Sequence, residues 1–199
     1  MPNVTLRDLA QLGNVPSALD GSALVMIDCQ NTYRRGTMAL VGVEPALIEA
    51  QSLLRRAREA GTPVVHIQHD AGTGSPYDLA TELGQIADVV APSGGEPVIV
   101  KHYPNAFVAT DLDERLKALG IKNLILAGFM THMCINSTAR GAFSLGYGVT
   151  VVDAATATRD LPGPDGTTVA AAALHAASLA ALGDLFAVVV RRSADIPAA

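Results

Sequence analysis

The chain has 199 residues, of which 49% are hydrophobic and 17% are charged, and its formal net charge is −5 at pH 7. This length predicts one globular domain over 1–199. The acidic balance without a basic cluster argues against a nucleic-acid partner, and the chain shows neither a basic-then-apolar leader nor an apolar run of the roughly 18 to 20 residues that a membrane helix needs. We therefore expect a cytoplasmic protein with no membrane contact.

Short apolar runs rich in valine and isoleucine recur along the chain and predict buried strands. They occupy 23–29, 63–69, 97–101, 123–129, 149–155 and 186–190. Helical patterns, in which apolar residues return every three or four positions, occupy 45–60, 111–119, 134–145 and 166–182. A glycine follows each helical pattern, where a left-handed C-terminal cap is expected, at Gly61, Gly120, Gly146 and Gly183.

Strands and helices alternate through most of the chain. This order predicts a three-layer, doubly wound α/β fold, with a parallel sheet and helices on both faces. The segment 70–96 interrupts the alternation because it is rich in glycine, proline and acidic residues, and we predict a long functional loop or lid there. Ligands of such folds bind beyond the carboxyl ends of the strands, so the residues that end the strands are the first candidates for a site.

Cys134 lies just after the strand at 123–129, where a helical pattern begins. If Thr131 caps that helix, Cys134 falls in its first turn, and the helix dipole together with a cation from Lys101 favours the thiolate. Backbone N–H groups of this turn could also hold the oxyanion formed when the sulfur attacks a carbonyl. The alternative is that Cys134 is an inert, buried hydrophobic residue.

Asp28 and Lys101 each end an apolar strand with a charge. A carboxylate is costly to bury unless a cation or hydrogen bonds compensate it, so the two side chains are expected to pair beside Cys134. Asp28 would then take the proton from Cys134 and later return it to a leaving amine. A structural ion pair is the alternative interpretation.

Three blocks of the sequence resemble motifs of the isochorismatase-like cysteine hydrolases: VMIDCQNTY, VIVKHYPNAF and LAGFMTHMCINSTARGAFSLGYGVTVVDAATATRD. The resemblance covers about 23–186 and implies a six-stranded parallel sheet. It also implies a catalytic triad of Asp28, Lys101 and Cys134. A non-proline cis peptide at Phe129–Met130 is implied as well, which would direct the N–H groups of Met130 and Cys134 toward the oxyanion.

The resemblance also bears on the reaction. True isochorismatases lack the cysteine, whereas this chain retains it, so the expected reaction is hydrolysis of a small amide through a Cys134 thioester. The motifs are most similar to those of streptothricin hydrolases, which open a cyclic amide, but maleamate, ureidoacrylate, biuret, N-carbamoylsarcosine and nicotinamide remain open as substrates. His66, His69 and Asp70 do not reproduce the metal-binding pattern of nicotinamidases, so no metal and no cofactor are expected. We interpret His66 as a hydrogen-bonded core residue and His69 as a loop-edge residue.

Residues next to the triad are candidates for lining a substrate pocket, and each has loop packing or capping as its alternative role. They are Gln30, Asn31, Tyr33, Tyr103, Asn105, Phe107, Thr131 and His132.

Two further interpretations concern residues outside this set. Cys29 should point away from Asp28 and be buried. The alanine-rich helix that carries His175 is smooth enough to pack against the sheet or a second subunit, so a homo-oligomer is expected and His175 is interpreted as structural. A catalytically idle binding protein and a redox-active thiol are the rival functions.

Overall fold

Six parallel strands form the central sheet of the computed structural model, which describes residues 4–199. The strands run in the spatial order β3-β2-β1-β4-β5-β8, so the chain winds outward in both directions from β1 and β4. They are β1 (Ser22–Ile27), β2 (Val64–His69), β3 (Val98–Lys101), β4 (Asn123–Phe129), β5 (Gly148–Ala157) and β8 (Val188–Val190). The predicted doubly wound sheet is therefore confirmed, and its switch point lies between β1 and β4.

Helices cover both faces of this sheet, as predicted. On one face α2 (Val43–Glu59) packs against the strands, and on the other lie α3 (Leu112–Ala118), α4 (Asn136–Ser144) and α5 (Ala171–Leu185). A short helix, α1 (Leu6–Leu9), contacts α5. Because the central strands are covered on both sides, every residue of β1 is buried, which explains the continuous apolar runs in the sequence.

Gly128 allows β4 to lie against β1 near the carboxyl edge of the sheet. Its φ is +120°, and a Cβ there would lie 1.9 Å from the carbonyl oxygen of Ile27. The pairing of β4 with β5 also shifts register between Leu126 and Gly128. Glycine is therefore required at this position by both the backbone conformation and the close approach of the neighbouring strand.

Helix boundaries are where the sequence predictions were least accurate. The last long helix begins at Ala171 rather than 166, because a small antiparallel hairpin of β6 (Leu161–Pro162) and β7 (Thr168–Val169) precedes it. Gly61, Gly120 and Gly146 have φ values of +69°, +68° and +90°, which confirms them as left-handed caps. Gly183 was predicted wrongly, because α5 continues past it to Leu185.

The predicted helix at 134–145 also differs in detail. A π-helical turn over Thr131–Ile135 precedes α4, and the residue before that turn, Met130, makes no side-chain capping hydrogen bond. Thr131 is therefore the first residue of the turn and not its cap, contrary to the prediction. Cys134 remains in the segment that joins β4 to α4.

The segment 70–96 contains two single 3₁₀ turns, Glu82–Gly84 and Asp88–Val90, and no strand of the central sheet. It lies against the loop after β1, where Gln30 and Ile86 form an isolated antiparallel bridge. Its role as a lid stays a prediction. No helix in the described part of the chain is long and apolar enough to cross a membrane.

Candidate active site

Asp28 follows the last residue of β1 and is fully buried. Its φ is +49°, a left-handed conformation that is uncommon outside glycine, and its backbone N–H donates to the carbonyl of Ile67 on β2. The carboxylate is thus fixed at the carboxyl edge of the sheet beside the switch point. Strained backbone of this kind is concentrated at functional sites, although it does not by itself establish one.

Lys101 ends β3, two strands away from β1, and its long side chain reaches back across the end of β2. Its Nζ atom lies 2.7 Å from Oδ2 of Asp28 and 3.4 Å from Sγ of Cys134. The Lys101 side chain is as fully buried as that of Asp28. The ends of β3 and β1 and the turn after β4 therefore bring one cation, one acid and one thiol into mutual contact.

Burial dominates the titration of this cluster. It raises the pKa of Asp28, and the Lys101 ammonium offsets part of that rise. The Lys101 ammonium lies 2.7 Å from Oδ2, and hydrogen bonding with Lys101 and with the Cys134 thiol also acts to lower the pKa of Asp28. The carboxylate thus faces the thiol as well as the ammonium.

Cys134 is 5% exposed, and its thiol does not titrate as the sequence suggested. Burial, followed by the negative charge of Asp28, raises the pKa of Cys134 to about 12, while Lys101 acts in the opposite direction. The expectation of a stabilised thiolate at rest is therefore wrong, because desolvation outweighs the cation. At neutral pH the thiol holds its proton until a base removes it.

The peptide bond between Phe129 and Met130 is cis, as the resemblance implied. The carbonyl of Met130 accepts hydrogen bonds from the N–H groups of Met133 and Ile135, which closes the turn around the thiol. The N–H of Met130 itself donates to no other group in residues 4–199. This N–H group is therefore free to donate to a ligand.

Of the residues predicted to line a pocket, Tyr33 is affected directly by the charges of the cluster. Its ring is buried edge-on against Phe129 and Tyr77, and after burial the charges of Asp28 and Cys134 are the largest causes of its raised pKa. Tyr33 therefore forms an apolar wall beside the thiol.

Gln30 and Asn31 hold the segment 70–96 in place. The amide of Gln30 donates to the carbonyls of His69 and Gly84 and accepts from the N–H of His69. Asn31 donates to the carbonyl of Glu82. Their hydrogen-bonding groups are largely satisfied within the protein, which favours the loop-packing alternative for both.

The other predicted pocket residues contact residues outside the cluster of Asp28, Lys101 and Cys134. Phe107 stacks on Tyr147, and the N–H of Phe107 binds the Asn105 side chain. Tyr103 is 53% exposed. Thr131 and His132 stand at the start of the turn that carries Cys134, where their side chains bind His175 and Thr158 respectively.

His69 was misinterpreted from the sequence. Its Nδ1 lies 3.4 Å from Nζ of Lys101, and its ring packs edge-on against Tyr77 with the centroids 5.0 Å apart. Burial and then the Lys101 charge lower the pKa of His69 to about 4, so the ring is neutral at pH 7. His69 ends β2 in register with Lys101, so the strand-end rule applied to Asp28 and Lys101 would have identified it.

Arg159 was also missed. Burial lowers the pKa of His132, and the charge of Arg159 is the next cause. The same charge is the smallest of several effects on the pKa of Tyr77, which burial raises. The Nε atom of Arg159 is buried and has no hydrogen-bond partner in the described chain. Arg159 lies two residues beyond the end of β5, a further strand end that the sequence analysis did not inspect.

The other histidine considered for metal binding is in the core. Nε2 of His66 lies 2.9 Å from Glu96, which confirms the hydrogen-bonded core role predicted for it. Cys29 is buried, as expected. Among residues 4–199, no group of three histidine, cysteine, aspartate or glutamate side chains is close enough to hold a metal ion.

Comparison with known proteins identifies the family of this chain. The isochorismatase domain family matches residues 22–194. A secreted isochorismatase effector from Verticillium dahliae is 36% identical over 91% of this chain and 94% of its own. The crystal structure of an isochorismatase from Pseudomonas putida KT2440 superimposes with a TM-score of 0.93 at 36% identity, covering 98% of this chain and 99% of that one.

Two further relatives are named as hydrolases. A streptothricin hydrolase from Streptomyces noursei is 36% identical over 86% of this chain, which spans 63% of that protein. A maleamate amidohydrolase from Pseudomonas putida is 33% identical over 65% of this chain and 69% of its own. The family match over 22–194 and the similarity to a family member over 91% of the chain show that this chain belongs to the isochorismatase family.

Proposed function

We propose that this protein hydrolyses a C–N amide bond of a small molecule, with Cys134 as the nucleophile. One observation carries the proposal: Lys101 Nζ lies 2.7 Å from the Asp28 carboxylate and 3.4 Å from the Cys134 sulfur, in a fully buried cluster at the switch point of the sheet. The similarity to a maleamate amidohydrolase and to a streptothricin hydrolase supports the reaction type.

The proposed reaction begins with proton transfer. Because the pKa of Cys134 is raised to about 12, the sulfur attacks the amide carbonyl as Asp28 takes its proton, and Lys101 stabilises the charge left on the cluster. A C–S bond forms, and the carbonyl electron pair moves to oxygen. The N–H groups of Met130 and Cys134 would bind that oxyanion.

Collapse of this intermediate breaks the C–N bond, and protonated Asp28 gives its proton to the departing nitrogen. A thioester on Cys134 and free ammonia or an amine result. Water then attacks the thioester, with Asp28 again as the base. The C–S bond breaks, Asp28 returns the proton to the Cys134 sulfur, and a carboxylic acid leaves. Every proton transfer in this reaction passes through Asp28, and the proposed reaction uses no metal or cofactor.

The rival interpretation is a structural ion pair in a catalytically idle binding protein. Replacing a buried ion pair by apolar residues is often neutral or stabilising, so a buried pair is weak support for a purely structural role. Here Lys101 also contacts the Cys134 thiol, and Asp28 has a left-handed backbone conformation. Function explains this combination better than stability does.

Arg159 supports a substrate that carries a carboxylate. Its Nε has no partner in the described chain, and a guanidinium binds planar carboxylates in a bidentate manner. Maleamate carries such a group next to its amide. We therefore favour a small carboxylate-bearing amide, with a lactam of the streptothricin type as the alternative.

Ammonia or amine release from an amide panel, measured with and without a chelator, tests the proposal. The panel contains maleamate, ureidoacrylate, N-carbamoylsarcosine, biuret, nicotinamide and a cyclic amide. We expect turnover that resists the chelator, is lost in Cys134→Ala and is kept in the matched control Cys29→Ala, which removes the other buried thiol. Turnover that survives in Cys134→Ala contradicts the proposal, and a wild-type protein inert to the whole panel favours the idle binding protein.

Location and assembly complete the proposal. We propose a cytoplasmic location. We also propose a homo-oligomer, because α5 exposes a smooth row of alanines that a second subunit could cover, at 172, 173, 176, 177, 180 and 181. Cell fractionation tests the location, and light scattering of the purified protein tests the assembly. A secreted or monomeric protein contradicts the respective part.

A further inference from the structure

The turn that carries Cys134 is connected through Thr131 to α5 and β5. This residue is fully buried, and its hydroxyl oxygen lies 2.9 Å from Nδ1 of His175 on α5. Nε2 of the same imidazole lies 2.7 Å from Oδ1 of Asp153 on β5. Hydroxyl, imidazole and carboxylate therefore form one continuous hydrogen-bonded chain that ends at the nucleophile turn.

The direction of these hydrogen bonds follows from the donors and acceptors. The ionised carboxylate of Asp153 can only accept, so Nε2 of His175 carries the hydrogen. In the neutral ring Nδ1 is then the acceptor, and the hydroxyl of Thr131 donates to it. A carboxylate behind an imidazole fixes both its tautomer and its orientation, so Asp153 determines how His175 meets Thr131.

This use of a threonine is unusual for its position. At the first residues of a helical turn, threonine hydroxyls commonly bond to nearby backbone groups. Thr131 instead bonds to a residue 44 positions away in sequence. Met130 directly precedes it and Cys134 follows three residues later, so the position of Thr131 affects both the N–H group that faces the ligand and the thiol.

We propose that His175 is a positioning residue: held by Asp153, it fixes Thr131 and thereby the placement of the Cys134 sulfur and the Met130 N–H group. The inference rests on the proposed function, because it concerns the same nucleophile. Displacement of a reacting group by about 1 Å can lower a rate by about 100-fold, so an anchor outside the reacting cluster has a measurable effect. Neither His175 nor Asp153 contacts Asp28, Lys101 or the sulfur in the described hydrogen-bond network.

A merely structural role makes a different prediction. Loss of a packing interaction lowers the free energy of unfolding but leaves the chemistry of the folded protein unchanged. Loss of positioning slows the reaction of the Cys134 thiol in protein that is still folded, and it lowers kcat with little change in KM.

The test compares Thr131→Val, Thr131→Ser and His175→Leu, all in a Cys29→Ala background so that one thiol reports. The matched control is Ser178→Ala, which removes a buried hydroxyl from the same helix that only donates to the carbonyl one turn earlier. The rate of Cys134 alkylation by iodoacetamide is the readout, with kcat and KM measured on any amide the wild type hydrolyses.

We expect Thr131→Val and His175→Leu each to slow alkylation and to lower kcat by about 10- to 100-fold, with KM within about threefold of wild type. Thr131→Ser, which restores the hydroxyl, should recover most of the rate. The Thr131→Val/His175→Leu double variant should be no slower than either single variant, because both substitutions break the same chain.

Folded variants that alkylate at the wild-type rate, or that slow additively in the double variant, overturn the inference. If Thr131→Val does not fold, Asp153→Ala replaces it in the test, because the Asp153 side chain is 39% exposed and its removal leaves the core intact. Asp153→Ala should slow alkylation of Cys134 severalfold. The alkylation readout needs no substrate. Normal alkylation of these variants therefore refutes the positioning role alone, whereas amide turnover that persists in Cys134→Ala refutes the proposed function.

Discussion

Replacement of Lys101 with methionine keeps a similar volume but removes the ammonium that lies 2.7 Å from the fully buried carboxylate of Asp28. Burial then raises the pKa of Asp28 without the opposing effect of the cation. The folded variant must therefore either hold an unpaired buried charge or bind a proton. Removal of one partner from a buried pair costs about 3 to 5 kcal/mol in general.

The pH dependence of this cost has a definite sign. In the unfolded chain an aspartate releases its proton above its ordinary pKa of about 3.9, whereas the folded variant retains the proton to higher pH. Unfolding therefore becomes more favourable as pH rises, by about 1.4 kcal/mol per unit, until the folded-state pKa is reached. Relative to wild type, the loss should therefore be larger at pH 7 than at pH 5, by at most about 2.7 kcal/mol.

Urea unfolding of wild type and Lys101→Met at pH 5, 6 and 7 measures this loss. The control is the Asp28→Asn/Lys101→Met double variant, which has no carboxyl group to titrate. Its loss of stability should not vary with pH in this range. A loss in Lys101→Met that is equal at pH 5 and pH 7 would refute the reasoning, because Asp28 would then not depend on Lys101 for its charge.

Three further outcomes follow from the structure. In Cys29→Ala protein, alkylation of Cys134 should rise about tenfold per pH unit from pH 6 to 9, since its pKa is raised to about 12; a plateau near neutral pH contradicts this. Gly128→Ala should lower the free energy of unfolding by about 3 kcal/mol or more, because its Cβ would lie 1.9 Å from a carbonyl oxygen. Gly36→Ala has a left-handed φ but open space around it and should lower the free energy of unfolding by about 1 kcal/mol; equal losses for the two variants in urea unfolding exclude the steric cause. Arg159→Gln should raise KM for a carboxylate-bearing amide at least about tenfold and leave KM for an uncharged amide unchanged; equal effects on both in steady-state kinetics would remove its carboxylate-binding role.

The strands and the parallel, doubly wound sheet followed from local patterns, because strands buried on both faces leave continuous apolar runs. The same logic led from strand ends to Asp28 and Lys101. It would also have led to His69, which ends β2, and to Arg159, which lies two residues beyond β5, had it been applied to every strand end. These two omissions reflect incomplete use of a valid rule.

Other features depend on contacts between distant parts of the chain. The local pattern made Thr131 a helix cap, but its hydroxyl is bound by His175, and no local signal encodes a partner 44 residues away. The pKa of Cys134 was misjudged for a similar reason. A nearby cation is visible in the sequence motifs, whereas the depth of burial that outweighs it depends on the whole fold.

Mass spectrometry of the Cys134 peptide from protein quenched during turnover of an amide tests the central claim most directly. The account predicts an adduct on Cys134 equal in mass to the acyl part of the substrate, which forms and decays at rates compatible with kcat and is diverted to a hydroxamate by hydroxylamine. Steady amide turnover with an unmodified Cys134, and with no hydroxamate formed, would contradict it.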